Sequence, residues 1–450
     1  LAASTFSVSG LSSGIDYNTM IDQIMKLERQ PITRMQSRQA DYNKTISVYG
    51  DLSSKLAALK TAAEGLKTAT GFYARTASSS DATVFSATAA SSAAAGNYSI
   101  AVTALAQAHR VASSPVAAES DTVSVASGNF SFHVGTAGDT TTVAVDATTT
   151  LANLRDAINT MNGDAEATII NDGTGYRLVL TSKTSGVSNP ITVTENVTSL
   201  GLPTGPVAGG IQLQAAQDAA FSIDTLSMTR STNTFADAIG GVTITLTKGG
   251  SGTLSVTNDT AAIKEKIEGF VTAYNDIVSL VSTNAIYDTT TKKGGPLTGE
   301  SSARDVVTRL QAIIGNRVAE LPEGLRVLSQ IGIKTGTDGK LSIDSSVLTD
   351  KIATNLAGVS DLFNATGGVA NSVWDYADQA TDTISGAITY RTKGLGTIVS
   401  KINDDISKVE ARLAKEETEL RARFAKLEAL LSTISAQSSF LTSLALPSSR

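Results

Sequence analysis

Cysteine is absent from the 450 residues, which excludes disulfide scaffolds, zinc–thiolate centres and thiol nucleophiles. Histidine is nearly absent too, present only as His109 and His133. His133 alternates with Phe132 and Val134, which places it on the polar side of a strand, and both histidines read as surface residues. No Gly-x-Ser-x-Gly elbow, P-loop or His-Glu-x-x-His helix occurs, so hydrolytic triads, phosphate cradles and zincin sites find no residues. Gly249-Gly250-Ser251-Gly252 looks like half of a calcium-binding nonapeptide repeat, but it occurs once, lacks the Asp, and reads as a hairpin loop. The carboxylate pairs Asp404-Asp405 and Glu416-Glu417 fall on the outer face of a helix, where hydration leaves no shifted acid or base. The chain is therefore read as a non-enzyme with no catalytic residue, metal or cofactor.

Blocks of Lys or Arg are missing and the net charge is −6, so nucleic-acid binding, which displaces counterions with concentrated positive charge, is disfavoured. No apolar run approaches the roughly 20 residues of a membrane span, and no membrane insertion is expected. Leu1 to Gly14 has neither a basic n-region nor an apolar h-region, so a cleaved signal peptide is not expected. Aromatics are only 5%. Ala, Ser, Thr and Gly dominate instead, which suits thin strands and shallow helical cores, and the length calls for two to four domains.

What is present is periodicity. From Met35 through Tyr42, Ile46, Tyr49, Leu52, Leu56, Leu59, Ala63 and Leu66, apolar residues keep helical steps, as a coiled-coil seam does. Upstream, Met20, Ile21, Ile24 and Leu27 form a shorter amphipathic stretch, capped by Asp16 and closed before Pro31. From Phe72 the period becomes two, interrupted by one helix carrying Leu151, Leu154, Ile158 and Met161. Asp172-Gly173-Thr174-Gly175 reads as a hairpin turn, and Leu200 to Gly210, with two prolines and paired glycines, as a linker. Helical spacing returns with Ile263, Ile267, Phe270, Tyr274, Ile277 and Val281, and a second helix carries Val306, Leu310 and Ile313. Ile331 and Ile333 pair with Leu341 and Ile343 across Asp338-Gly339, and a helix starts near Asp344. The last stripe runs through Leu395, Ile398, Ile402, Ile406, Val409, Leu413, Leu420, Phe424, Leu427, Leu431, Ile434 and Leu441. The expected fold is multidomain α+β: the two ends build one coiled-coil bundle, and antiparallel β-rich domains are inserted between them. The bundle seam is expected at Ile46, Leu52, Leu56, Leu59, Ile267, Phe270, Tyr274, Ile277, Ile406, Val409, Leu413 and Phe424.

Gly10-Leu11-Ser12-Ser13-Gly14-Ile15-Asp16 and Leu27-Glu28-Arg29-Gln30-Pro31 resemble the opening of the flagellar filament-capping family, FliD or hook-associated protein 2. The resemblance continues through Gly96-Asn97-Tyr98-Ser99-Ile100 with Leu105-Ala106-Gln107, and through Ala157-Ile158-Asn159, similar to an "IN" repeat shared with some flagellins. It extends to Ala216-Gln217-Asp218, Asn233-Thr234-Phe235, Ala273-Tyr274-Asn275, Asp338-Gly339-Lys340-Leu341 and Gln437-Ser438-Ser439. One departure is Asp224-Thr225, where the family usually has Gly after the Asp.

The resemblance implies four parts: terminal legs (1–42 and 430–450), a helical bundle with a small hairpin (43–72 and 259–429), a β-rich domain (73–112 and 216–258), and a second β-rich domain with one helix (113–215). It also implies a ring-like homo-oligomer at the extracellular tip of the flagellum, retaining flagellin and helping it fold, and exported without a cleaved signal peptide by the flagellar type III pathway. Hook–filament junction proteins, an export chaperone and host glycans are further partners it brings into view. Contacts to flagellin or to a neighbouring copy are expected at Leu11, Ile15, Met20, Ile24, Leu27 and Ile32, and at Leu427, Leu431, Ile434, Leu441 and Leu444. Another flagellar junction protein or a tip-located glycan-binding adhesin are the alternatives.

Overall fold

The computed structural model describes residues 16–124, 126–136, 139–202, 211–290 and 292–445. The described residues fall into two compact units, one built from residues up to Ala69 and from Lys264 onward, the other from Thr70–Ile263. In chain order the helices are α1 (Tyr17–Glu28), α2 (Gln30–Glu64), α3 (Ala69–Phe72), α4 (Leu151–Thr160), α5 (Thr260–Asn284), α6 (Ser301–Gly315), α7 (Ser345–Thr354), α8 (Leu356–Asn364), α9 (Val369–Thr381) and α10 (Ala387–Ala445). Strands fill the middle, so helices at both ends enclose antiparallel sheets.

In the helical unit, the Asp16 carboxylate accepts from the backbone of Asn18 and Thr19 and starts α1. Arg29 alone separates α1 from α2, whose first turn takes Pro31 because a first-turn N–H has no helical partner to lose. Helix α2 packs along α9 and α10, and its Lys55 pairs with Asp276 of α5 at 2.7 Å. Leu52, Leu56, Leu59, Ile267, Phe270, Tyr274, Ile277, Ile406 and Leu413 are buried, while Ile46, Val409 and Phe424 are half-buried. In α6 the inward series is Val306, Leu310 and Ile314. Ile313 was expected there, but a step of four from Leu310 follows the packed face more closely than a step of three.

The β unit holds two lobes with separate hydrophobic cores. The first lobe has a five-stranded sheet in the order Arg75–Ser79, Gly250–Asn258, Gly96–Ala104, Ala219–Ile223, Leu226–Arg230. A three-stranded sheet (Thr234–Ile239, Val242–Leu246, Phe85–Ala89) belongs to the same lobe. Its core includes Phe85, Ile100, Phe221, Ile244 and Leu254. The second lobe has a four-stranded sheet (Ile211–Gln214, Ala108–Ala112, Tyr176–Ser185, Ala165–Asn171) and a three-stranded one (Thr141–Val145, Gly128–Val134, Ile191–Asn196). Phe130, Phe132, Leu154, Ile158 of α4, Leu178 and Leu180 fill it.

Three expectations need correction. Gly250–Gly252 is no hairpin loop; it is strand, paired with Val102–Ile100. Its glycines are there because Val84 and Phe85 press on that strand: a Cβ on Gly250 would lie 2.8 Å from Val84 Cγ2, and one on Gly252 3.1 Å from Phe85 Cε1. The start of the linker is core, since Leu200 and Leu202 are buried in the second lobe; residues 203–210 lie outside those described. His109 is not on the surface. It is 3% exposed, and its Nδ1 accepts the Ile191 N–H at 2.9 Å.

Asp224, not Thr225, is the left-handed residue of the turn between Ala219–Ile223 and Leu226–Arg230, with φ +54°. Asp tolerates that region, so Thr225 needs no glycine's freedom. Asp224 is also tied to the next strand: its N–H donates to Ser99 O (2.7 Å), and its Oδ1 accepts from Ser99 N–H (2.9 Å). Asp224→Ala is expected to cost about 1–3 kcal/mol through the lost acceptor and the strained φ. Asp224→Asn keeps both features and should fall within about 0.5 kcal/mol of wild type when the two variants are compared by urea melts.

Candidate assembly surfaces and the polar ties behind them

Several sequence motifs turn out to be hydrogen-bond ties between segments far apart in the chain. Asn275 grips Leu341 from both sides, Nδ2 donating to Leu341 O (2.8 Å) and Oδ1 accepting its N–H (2.7 Å). Beside it the Tyr274 hydroxyl donates to Gly339 O at 3.0 Å, and burial pushes that phenol up to about 12. These bonds hold the hairpin Ile333–Thr335/Leu341–Ile343 on α5. Asn233 clasps Ala106 in the same manner (3.0 and 2.7 Å), and Asn159 clasps Ala167 (2.9 and 2.9 Å). A side-chain amide matches the N–H and the C=O of one residue, so an Asn can satisfy backbone polar atoms as a neighbouring strand would.

The helical unit contains one strongly coupled polar cluster. Glu300, just before α6, accepts from Tyr49 Oη of α2 (2.7 Å) and from Arg391 of α10, through Nε (2.7 Å) and Nη2 (2.5 Å). The forked guanidinium, more than the phenol, holds the Glu300 carboxyl below its usual range. Burial, and then the carboxylate it faces, raise the Tyr49 phenol. Nothing reactive results, because a fully satisfied ion pair is a fastener. Nearby, Lys67 Nζ sits 3.5 Å and Lys60 Nζ 4.9 Å from the Trp374 ring centroid.

Among the described residues no group of three His, Asp or Glu side chains is placed to hold a metal ion, and no helix is long and apolar enough to cross a membrane.

Helix α1 has two apolar faces. Tyr17, Ile21 and Met25 are buried, and Ile21 and Met25, with Ile32, pack in one cluster with Ile402, Ile406 and Leu413 of α10. Tyr17 stacks on Phe424 with centroids 4.9 Å apart. Arg421 of α10 reinforces the contact, bonding Asn18 Oδ1 (3.1 Å) and lying 3.6 Å from Asp22. The other face carries Met20, Ile24 and Leu27, exposed at 44%, 39% and 63%. Of the expected contact residues, Ile32 is therefore sealed inside the bundle, whereas those three are open. Leu11 and Ile15 lie outside the described residues, as does the side chain of Leu444. Tyr17, Ile21 and Met25 follow one another at steps of four, as Met20 and Ile24 do on the open face, so only the packing on α10 separates the two faces.

Beyond Phe424 the stripe on α10 is more exposed. Leu427, Ile434 and Leu441 are exposed at 42%, 52% and 66%, Leu431 is half-buried, and Leu430 beside them is exposed too. Leu427, Leu431, Ile434 and Leu441 share one face of the helix, with Ser438 as the polar residue at a seam position between them.

The Flagellar hook-associated protein 2 N-terminus model matches residues 13–109 and its C-terminus model residues 216–436. The chain belongs to the flagellar hook-associated protein 2 family. The Flagellin hook IN motif matches residues 129–184, which contain the Asn159 clasp. Among family members, the Flagellar hook-associated protein 2 of Escherichia coli (strain K12) is 29% identical over 460 residues, 97% of each chain. The B-type Flagellar hook-associated protein 2 of Pseudomonas aeruginosa is 28% identical over 462 residues, 94% of each chain. A crystal structure of the D1-D2-D3 domains of the flagellar cap protein FliD from Escherichia coli is similar at TM-score 0.65 and 32% identity, covering 78% of this chain and 99% of that one. These family relatives are flagellar structural proteins, and the fold, with helices at both termini and antiparallel sheets between them, matches that structure.

In the second lobe His109 offers a test of buried titration. Burial lowers its basicity, so as pH falls below the ordinary histidine value of about 6.5 the unfolded chain takes up a proton that the folded lobe does not. Stability is then lost with falling pH, at a slope approaching about 1.4 kcal/mol per unit from this one group, until the folded imidazole also titrates. His109→Asn keeps an acceptor near the Nδ1 position. Urea midpoints of the variant between pH 7.5 and 5 should fall less steeply than those of wild type.

Proposed function

We propose that this chain is a flagellar filament cap: several copies form a lid at the extracellular distal tip, retain exported flagellin and promote its folding and insertion. The observation that carries this reading is the exposed apolar stripe of α10 at Leu427, Ile434 and Leu441, in a chain whose family includes the flagellar cap protein of Escherichia coli. A lid that must stay attached while subunits are added beneath it needs legs held by apolar contacts that can be exchanged one at a time. Burying one Leu or Ile contributes about 1.5–3 kcal/mol, strong in a row and weak singly. The open face of α1 (Met20, Ile24, Leu27) supplies the same chemistry, and we extend it to Leu11, Ile15 and Leu444.

In this reading residues 1–42 and 430–450 are the legs and 43–72 with 259–429 the bundle. The plate is made by 73–112 with 216–258 and by 113–215, with the strand Ala108–Ala112 counted with the latter because it pairs with Tyr176–Ser185. Export is assigned to the flagellar type III pathway without a cleaved signal peptide, served by a chaperone. Hook–filament junction proteins are the neighbours at assembly.

The test deletes the gene in its source bacterium and measures unpolymerised flagellin in the medium. Complementation uses the full chain and a chain lacking residues 1–40 and 430–450. Leakage cured by the full chain alone supports capping through the legs. Filaments of normal length in the deletion strain would overturn it and favour adhesion to glycans through the β lobes.

A further inference from the structure

The two β lobes have separate cores, and among the described residues the chain crosses between them at two places, beside Gln107 and beside Gln217. Those residues exchange both backbone bonds, Gln107 N–H to Gln217 O (2.8 Å) and Gln217 N–H to Gln107 O (3.1 Å), and the Gln214 amide adds a bond to Gln107 Oε1. A connector of two short strands does not fix two domains against each other. Relative motion is the ordinary outcome unless a large apolar interface prevents it.

The end of the strand Tyr176–Ser185 and the loop that follows it, as far as Asn189, supply a different restraint. Gly186 N–H donates to Gln107 O (3.2 Å), at the crossing itself. Val187 N–H donates to Asp218 Oδ1 (2.8 Å), and Ser185 Oγ donates to Ser231 O (2.5 Å), both on first-lobe residues. The loop is held in shape from within, since Asn189 N–H donates to Gly186 O (3.0 Å) and Asn189 Nδ2 to Ser185 O (2.6 Å). Gly186 is buried at φ +103°, and a Cβ there would stand 2.6 Å from Ser231 Cβ and 2.9 Å from Asp218 Oδ1. Only a residue without a side chain lets the loop approach this closely.

We propose that Ser185–Asn189 is a latch that fastens the two β lobes into one rigid plate, and that Gly186, Asp218 and Ser231 are the residues that close it. The latch is polar and small, so it can be opened without unfolding either core. It acts on the plate alone, independently of the legs.

The absence of cysteine makes spin labelling of the full chain direct. Ile170→Cys in the second lobe and Ser227→Cys in the first, both exposed, carry the labels, and pulsed electron resonance reads the distance between them. One narrow peak is expected with the latch intact. Gly186→Val should abolish that narrow peak while amides at Leu178–Leu180 and Leu254–Val256 keep their protection from hydrogen exchange. A broad distribution with the latch intact, or an unchanged narrow peak in Gly186→Val, overturns the proposal. Should Gly186→Val lose core protection, Asp218→Ala, which removes only the acceptor of Val187, decides by the same criterion.

Discussion

Replacing Arg391 with alanine is expected to destabilise the helical unit by about 2–3 kcal/mol, somewhat less than breaking a fully buried ion pair costs, because the guanidinium is partly solvated. The loss arises at Glu300, whose side chain is 14% exposed against 36% for Arg391. With Arg391 gone, the carboxylate keeps only the Tyr49 hydroxyl and loses a two-pronged partner that water replaces poorly. Arg391→Lys should recover part of the loss, since charge returns without the fork. Tyr49→Phe should cost about 1 kcal/mol, one hydrogen bond with its partner still held by Arg391. Trp374 is the only tryptophan and lies in α9 of this unit, so its fluorescence reports the melt.

The same cluster sets an acid limit. Glu300 titrates below its ordinary value in the folded chain, chiefly because Arg391 donates to it. Its contribution is therefore complete above the unfolded carboxyl value of about 4.3 and is lost as pH falls through the folded one. Glu300→Gln removes that proton linkage. The variant should be less stable than wild type at pH 7, and the gap should narrow as pH falls below that value.

How much of this was legible in the sequence depends on how strongly each residue's role shows in its spacing. The run Ile267, Phe270, Tyr274, Ile277 was plain because large side chains at steps of three and four stand out against polar neighbours. Helix α9 was not, because its buried face is Val369, Ala370, Val373, Ala377 and Ala380, nearly indistinguishable from the alanine-rich surface elsewhere. In α1 two apolar faces compete, and periodicity alone cannot say that Tyr17, Ile21 and Met25 turn inward while Met20, Ile24 and Leu27 stay open. His109 read as a surface residue because nothing in its neighbours' spacing tells that its side of the strand is covered. The glycines at 250 and 252 looked like loop residues. Their reason is Val84 and Phe85, residues more than 160 positions away. The motifs Ala273-Tyr274-Asn275 and Asp338-Gly339-Lys340-Leu341 could be quoted separately, yet only the fold shows that one grips the other.

Converting Leu427, Ile434 and Leu441 together to serine is expected to abolish capping while leaving the chain folded, the largest functional effect among these substitutions. All three are exposed and lie beyond the stack of Tyr17 on Phe424, so the variant spares the buried packing of the helical unit. A change confined to exposed positions shifts stability by about 0.5 kcal/mol or less per site. Binding suffers far more: three buried apolar side chains at about 1.5–3 kcal/mol each amount to several powers of ten in affinity for whatever helix covers the stripe. The variant should melt with wild type by Trp374 fluorescence and still release flagellin into the medium when it replaces the full chain. A companion variant, Ile32→Ser, reverses the pattern, because Ile32 is buried against α10. Its melting point should drop, and any capping defect should follow the fall in folded protein. Loss of stability in the triple variant would place the stripe inside the bundle, and wild-type capping by it would remove α10 from the legs.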